Sequence, residues 1–226
     1  MSKEWKGNSD SVRSRLGINK QHTTKGREED DFYATDPQAL ETLLQHCSYW
    51  LHNQLCLTKR AEIGKLLSYI PGYIWECACG NGNLAELLIK HNYNVYASDL
   101  KNRGYGRRNL DFLQTQECHG EIILTNPPYS LATEFIEHAL KLLPDGGLYI
   151  ALMNISYLAG QKRYKEIYSG GVLREVYIFS KRIECWRNND KENYGGKKMV
   201  DFAWFVFQKG YNGNCNLYWL YNTEKI

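Results

Sequence analysis

The sequence predicts an α/β fold: a mostly parallel sheet with helices on both faces and an antiparallel pair of strands at one edge. Three observations lead there. From about residue 73 onward, short β-rich runs alternate with segments of helical period, and strands separated by helices join as parallel neighbours. The last two runs, at about 175–179 and 202–207, have no helical segment between them, which suits an antiparallel pair. The chain has 226 residues, 43% hydrophobic and 23% charged, enough for one buried core and close to the globular average.

The elements follow in order. Residues 1–30 carry seven Lys and Arg residues against five acidic ones and few large apolar groups, so they read as a basic flexible arm before a single domain at 31–226. From Pro37 to about Trp50, Leu40, Leu43, Leu44 and Cys47 recur at helical spacing, with Asp36 placed to cap the helix and Pro37 at its first position. A second helix is expected at about 61–69. Strands are expected at about 73–77, 94–98, 121–125 and 148–153, followed by the two already named. The intervening helices are expected at about 84–91, 131–143 and 161–168.

Composition excludes several classes. Lys plus Arg is 28 against 25 acidic residues, a net charge of +3 that by itself does not indicate a polyanionic partner. No apolar stretch approaches the ~18 residues of a membrane span, and the first thirty positions lack the apolar centre of a signal peptide, so a cytoplasmic protein is expected. The seven cysteines are odd in number and scattered, as reduced thiols would be. Cys77 and Cys79 are the one close pair, and without a second pair or a His cluster no metal site is expected.

Chemistry concentrates at two strand ends. The run Glu76, Cys77, Ala78, Cys79, Gly80, Asn81, Gly82 interrupts a strand where a helical pattern begins, and its glycines allow a sharp turn and close approach to a ligand. The next strand ends at Asp99, about 20 residues on, where a carboxylate can accept both hydroxyls of a ribose. Asp111 and Phe112 follow, where a third strand-to-helix junction could offer a carboxylate to an adenine amino group and a ring to its face. A strand-end Glu76 would repel a pyrophosphate but suits a cationic amino group, so a nucleoside bearing an amino acid fits better than a dinucleotide. Glu-x-x-x-Gly-x-Gly resembles the S-adenosylmethionine turn of the class I methyltransferases, with Ala78 where that family often has a first glycine.

The second strand end carries Asn126, Pro127, Pro128 and Tyr129, a tetrapeptide expected by chance about once in a thousand chains of this size. It should lie on the same carboxyl rim as the glycine turn. An aromatic amine is a poor nucleophile because its lone pair is delocalised, and acceptors aimed at its protons would localise that pair. Asn126 can offer its side-chain oxygen and Pro127 its carbonyl, the prolines fix the backbone, and Tyr129 offers a ring for stacking worth ~1–3 kcal/mol. Cytosine C5 chemistry would instead need a cysteine after a proline, and none of the seven stands there.

Asn126 to Tyr129 resembles the catalytic tetrapeptide of the adenine-N6 DNA methyltransferases. Asp31, Phe32, Tyr33, Ala34, Thr35, Asp36 and Pro37 look like the element of that family that precedes the cofactor turn and closes over the methionine end. The resemblance spans about residues 31–209. It implies the Rossmann-like class I methyltransferase fold, S-adenosylmethionine as cofactor, and a base flipped out of duplex DNA by a small phage-like or restriction-modification member. It also implies cofactor contacts at Tyr33, Thr35, Glu76, Cys77, Gly80, Gly82, Asp99, Leu100, Asp111 and Phe112.

Only 97 residues follow the tetrapeptide (226 minus 129), too few for a separate recognition domain. The loop at 181–199 is the candidate nucleic-acid surface, with Arg182, Trp186, Arg187, Lys197 and Lys198 supplying basic and aromatic groups. A second basic loop, Lys101 to Arg108 around Gly104, Tyr105 and Gly106, either touches nucleic acid or flanks the ribose site. RNA adenine and a protein glutamine amide stand as alternative acceptors, since both present a planar, weak nitrogen nucleophile. A non-catalytic nucleic-acid-binding module would leave the paired sites unexplained.

Overall fold

In chain order the strands are β1 (Tyr33–Thr35), β2 (Ile74–Glu76), β3 (Val95–Ala97), β4 (Ile122–Thr125), β5 (Leu148–Asn154), β6 (Leu173–Phe179), β7 (Cys185–Arg187), β8 (Phe202–Gln208) and β9 (Asn216–Leu220). The helices are α1 (Pro37–His46), α2 (Tyr49–Cys56), α3 (Asn83–Lys90), α4 (Ala132–Leu142) and α5 (Gln161–Glu166). This computed structural model describes residues 33–58, 72–183, 185–187 and 200–221, without the side chains of Tyr33, Trp186 and Arg187. The basic arm, the expected helix at 61–69, and Lys197 and Lys198 lie outside the described residues.

Seven strands form one sheet in the order β3-β2-β4-β5-β8-β6-β9. Strands β3, β2, β4 and β5 are mutually parallel, and β8 runs antiparallel between β5 and β6. The central strands are nearly uninterrupted apolar runs because both of their faces are covered. On one face α1, α2 and α3 bring Leu40, Leu43, Leu51, Leu55, Leu84 and Leu88 against Ile74, Leu124, Ile150 and Trp204. On the other, α4 sets Phe135, Ile136 and Ala139 against Trp75, Ile123, Tyr149 and Phe205. The buried indole of Trp204 is satisfied by donating to the Ala39 carbonyl at 3.0 Å, which fastens α1 to the sheet.

Three local features differ from expectation. The helix expected from Pro37 to about Trp50 is two helices, because Ser48 accepts from the Leu51 N–H at 3.1 Å and so caps α2. The same hydroxyl donates to the buried carboxylate of Glu175 at 3.0 Å, a tie that no local spacing reveals. The expected antiparallel pair is present as β6–β8, and a further strand, β9, adds beyond β6, parallel to it. Leu217 and Trp219 of β9 are exposed although apolar, so polar and apolar residues do not alternate along it. Finally, Asp111 does not end a third strand. It caps a single 3₁₀ turn, reached by a loop that bends through positive φ at Gly104, Gly106 and Asn109 and bonds back onto β3 through Arg107 N–H to Ala97 O at 2.8 Å.

Candidate active site

The chain leaves β2 through Cys77 to Gly82 and enters α3, so this turn sits at the carboxyl end of a central parallel strand. Gly80 and Gly82 both take positive φ, +56° and +93°, a region open to glycine at little cost. Asp99, buried just beyond β3, accepts from the Gly80 N–H and the Lys101 N–H, each at 2.8 Å. The carboxylate expected to meet a ribose therefore also fixes the glycine turn, and its remaining lone pairs stay available to hydroxyl donors. Leu100, beside it, is exposed.

Glu76 is 2% exposed, and its Oε2 has no hydrogen-bond partner among the described residues. Burial pushes its carboxyl up to about 8, the charge of Asp99 pushes the same way, and the Ala85 N–H opposes them. A buried carboxyl with an orphaned oxygen is costly unless a donor or cation arrives. This is the observation that fits an amino-acid nucleoside: Glu76 would meet its ammonium group, and Asp99 its ribose. Cys77 and Cys79 lie in the turn with thiols raised by burial, Cys79 to about 12, so both are neutral packing groups.

Asp111 accepts from the Leu113 N–H at 3.0 Å. Phe112 is buried, its ring packed between Trp75 at 5.3 Å and Phe135 at 4.7 Å, so it backs the turn as part of the core. The loop from Lys101 to Arg108 flanks the glycine turn. Tyr105, whose place over that turn no spacing reveals, lays its ring over Gly82, where a Cβ would come within 2.5 Å of Tyr105 Cγ.

One strand away, β4 ends in Thr125 and the chain continues through Asn126 to Tyr129. Asn126 Nδ2 donates to Thr35 Oγ1 at 2.8 Å. The Tyr129 carbonyl accepts from the Tyr157 hydroxyl at 3.1 Å, and the Tyr129 ring lies 5.7 Å from that of Phe202. The Cys185 thiol, which burial raises to about 12, packs with the Tyr129 side chain on the same core cluster. Pro127 is buried and Pro128 half-buried, which leaves the tetrapeptide a rigid shelf.

Thr35 joins the two sites. Its side chain holds Asn126, and its carbonyl accepts from Asn83 Nδ2 at 2.9 Å, where Asn83 opens the helix after the glycine turn. Thr35 belongs to a small second sheet of β1 and β7, where it stands opposite Cys185. Sequence spacing gives no sign of this pairing.

Arg182 is ion-paired with Asp201 at 2.5 Å, both partly exposed at the start of the loop expected to meet nucleic acid. Trp186 and Arg187 lie on β7, in register with Ala34 and Tyr33. The sequence pattern does not mark out a further basic stretch: Lys162, Arg163, Tyr164 and Lys165 on α5, with Tyr164 63% exposed. Among the described residues no group of three His, Cys, Asp or Glu could hold a metal ion, and no helix is long and apolar enough to cross a membrane.

No family model matches the sequence, and no curated protein matches it. Solved structures do. A Listeria monocytogenes protein assigned as a class I S-adenosylmethionine-dependent methyltransferase aligns with a TM-score of 0.55 at 13% identity, covering 96% of this chain and 73% of the other. A modification subunit assigned to a type I restriction enzyme of Vibrio vulnificus aligns with a TM-score of 0.53 at 10% identity, covering 96% of this chain and 52% of the other. This chain thus spans about half the length of the second. At such identities the likeness is one of fold, and the fold is the Rossmann-like one of these methyltransferases, with its mixed seven-stranded sheet and covering helices.

Proposed function

We propose that the chain is an S-adenosylmethionine-dependent methyltransferase acting on the N6 amino group of adenine in DNA. The observation that supports this reading is the bridge through Thr35 between the glycine-turn helix and Asn126, with the glycine turn and the tetrapeptide on the ends of adjacent strands. The cofactor, when bound, supplies a methyl group on a sulfonium. Glu76 neutralises the ammonium end, Asp99 accepts from the ribose, and the turn allows close backbone approach.

On the acceptor side the Asn126 oxygen and the Pro127 carbonyl accept the amine protons. This draws the nitrogen lone pair out of the ring toward the methyl group. The ring of Tyr129 supports the extruded base. As the amine nitrogen bonds the methyl carbon, the carbon–sulfur bond would break to leave a neutral thioether, and the surplus amine proton would pass to solvent. No residue need form a covalent intermediate, because an in-line displacement with a good leaving group chiefly needs positioning. The likeness in fold to a modification subunit is in keeping with DNA as the acceptor.

Incubation with labelled S-adenosylmethionine and unmethylated DNA, RNA and protein in parallel, followed by identification of the modified group, tests the reading. Label on DNA as N6-methyladenine is the expected result, and label on RNA or on glutamine alone would replace it. Arg182, Trp186, Arg187, Lys197 and Lys198 are the proposed nucleic-acid contacts. Replacing Arg187, Lys197 and Lys198 together by Ala should flatten the salt dependence of DNA binding, by about 0.9 for each phosphate left without its cation.

A further inference from the structure

Thr35 stands in the segment that resembles a cofactor lid, yet it is 4% exposed and its hydroxyl is engaged by Asn126. The terminal torsion of an asparagine is soft and nearly two-fold, so the carboxamide can present either its oxygen or its nitrogen to an acceptor amine. Only the oxygen would activate that amine, and the nitrogen would compete with it as a donor. With Nδ2 bonded to Thr35 Oγ1, the oxygen stands at the opposite end of the group.

Thr35 is itself held firmly. It pairs with Cys185 in the β1–β7 ladder, its carbonyl accepts from Asn83, and its β-branched side chain is stiff at χ1. Its ladder partner Cys185 packs with the Tyr129 side chain on the same core cluster, so one rung of this small sheet stands near both ends of the tetrapeptide.

We propose that Thr35 is a positioning residue for the transfer step, setting the Asn126 carboxamide with its oxygen toward the acceptor amine, and not a ligand of the cofactor. The inference rests on the methyltransferase reading above. Its test is a set of Thr35→Val, Thr35→Ser, Asn126→Ala and Thr35→Val/Asn126→Ala variants. Each is measured for single-turnover transfer to DNA and for S-adenosylmethionine affinity by calorimetry.

Thr35→Val, which keeps the shape and loses the acceptor, should slow transfer on the order of tenfold while cofactor affinity stays within about twofold. Thr35→Ser should restore most of the rate. The double variant should be no slower than Asn126→Ala alone, as expected for two residues acting through one group. If Thr35→Val does not fold, Thr35→Ala takes its place in the same comparison. Loss of cofactor affinity in step with the loss of rate would overturn the proposal, as would a full additional slowing in the double variant. A Thr35→Val protein as fast as an active wild type overturns the role of Thr35 alone. A wild type that transfers label to no acceptor overturns the methyltransferase reading and this proposal with it.

Discussion

The glycine turn and the Asn126–Tyr129 tetrapeptide stand at the ends of neighbouring strands, β2 and β4, yet they are held in opposite ways. The turn is fixed from close by in sequence: Gly80 bonds Asp99, 19 positions on, and Tyr105 covers Gly82. The tetrapeptide is fixed from far away, by Thr35 at a separation of 91 positions, by Tyr157 and by the Phe202 ring. Apart from the Asn83 tie to Thr35, the first draws its bonds from one strand-turn-helix unit and the loop after β3. The second exists only where the β1–β7 sheet, the end of β5 and the start of β8 converge.

That contrast can be broken most sharply at Asn126. Asn126→Ala should lower the methyl-transfer rate by on the order of 10²–10³ while leaving cofactor affinity nearly unchanged. Parallel loss of both would mean that the two sites are one. Asp99→Ala should do the reverse. It strips the acceptor from two backbone amides as well as from the ribose, and should weaken S-adenosylmethionine on the order of 10²-fold as read by calorimetry. Unchanged affinity in a folded Asp99→Ala protein would remove Asp99 from the ribose site.

A smaller effect, and one that sharpens the comparison, is the pH dependence of Glu76. Its carboxyl titrates at about 8 in the folded protein against 4.5 ordinarily. The free folded chain thus keeps a proton that the unfolded chain has already lost. Stability contributed by this group falls as pH rises from about 4.5 toward 8. A bound ammonium favours the ionised form, so binding at pH 7 should release a proton, and affinity should climb by at most about tenfold per pH unit until it levels near 8. Calorimetry in buffers of different ionisation enthalpy reads the released proton. Glu76→Gln should abolish both the release and the pH slope. If the slope persists in Glu76→Gln, another group titrates.

The same contrast explains what the sequence could reveal. Strands β2 to β6 and β8 were legible as short β-rich runs, β4, β5 and β8 most clearly because strands covered on both faces are apolar nearly throughout, and the glycine turn because its parts lie within one strand-turn-helix unit. Asp99 was legible from its spacing, although its grip on Gly80 was not. The tetrapeptide was legible as a motif, but its partners were invisible because they come from strands that meet only after the sheet closes. Thr35 reads as a cofactor contact, and its bond to Asn126 is a tie across 91 positions that the sequence does not show. Phe112 suggested a ring for adenine, while its ring packs within the core against Trp75 and Phe135. The split between α1 and α2 depends on Ser48 meeting Glu175, a tie across 127 positions that local periodicity cannot carry.

The rung between Thr35 and Cys185 joins segments 150 positions apart (185 minus 35). Contacts of such separation pay a large loop-closure entropy and form late in folding. A ribosome will have released the glycine turn and the tetrapeptide long before Cys185 emerges. A nascent chain can therefore acquire a formed cofactor turn while its acceptor groups are still unseated, and competence for chemistry arrives last. Being only a two-stranded ladder, the rung should also be the first to reopen. Faster amide hydrogen exchange at Thr35 and Cys185 than at Leu124 would record that order, and equal protection would contradict it.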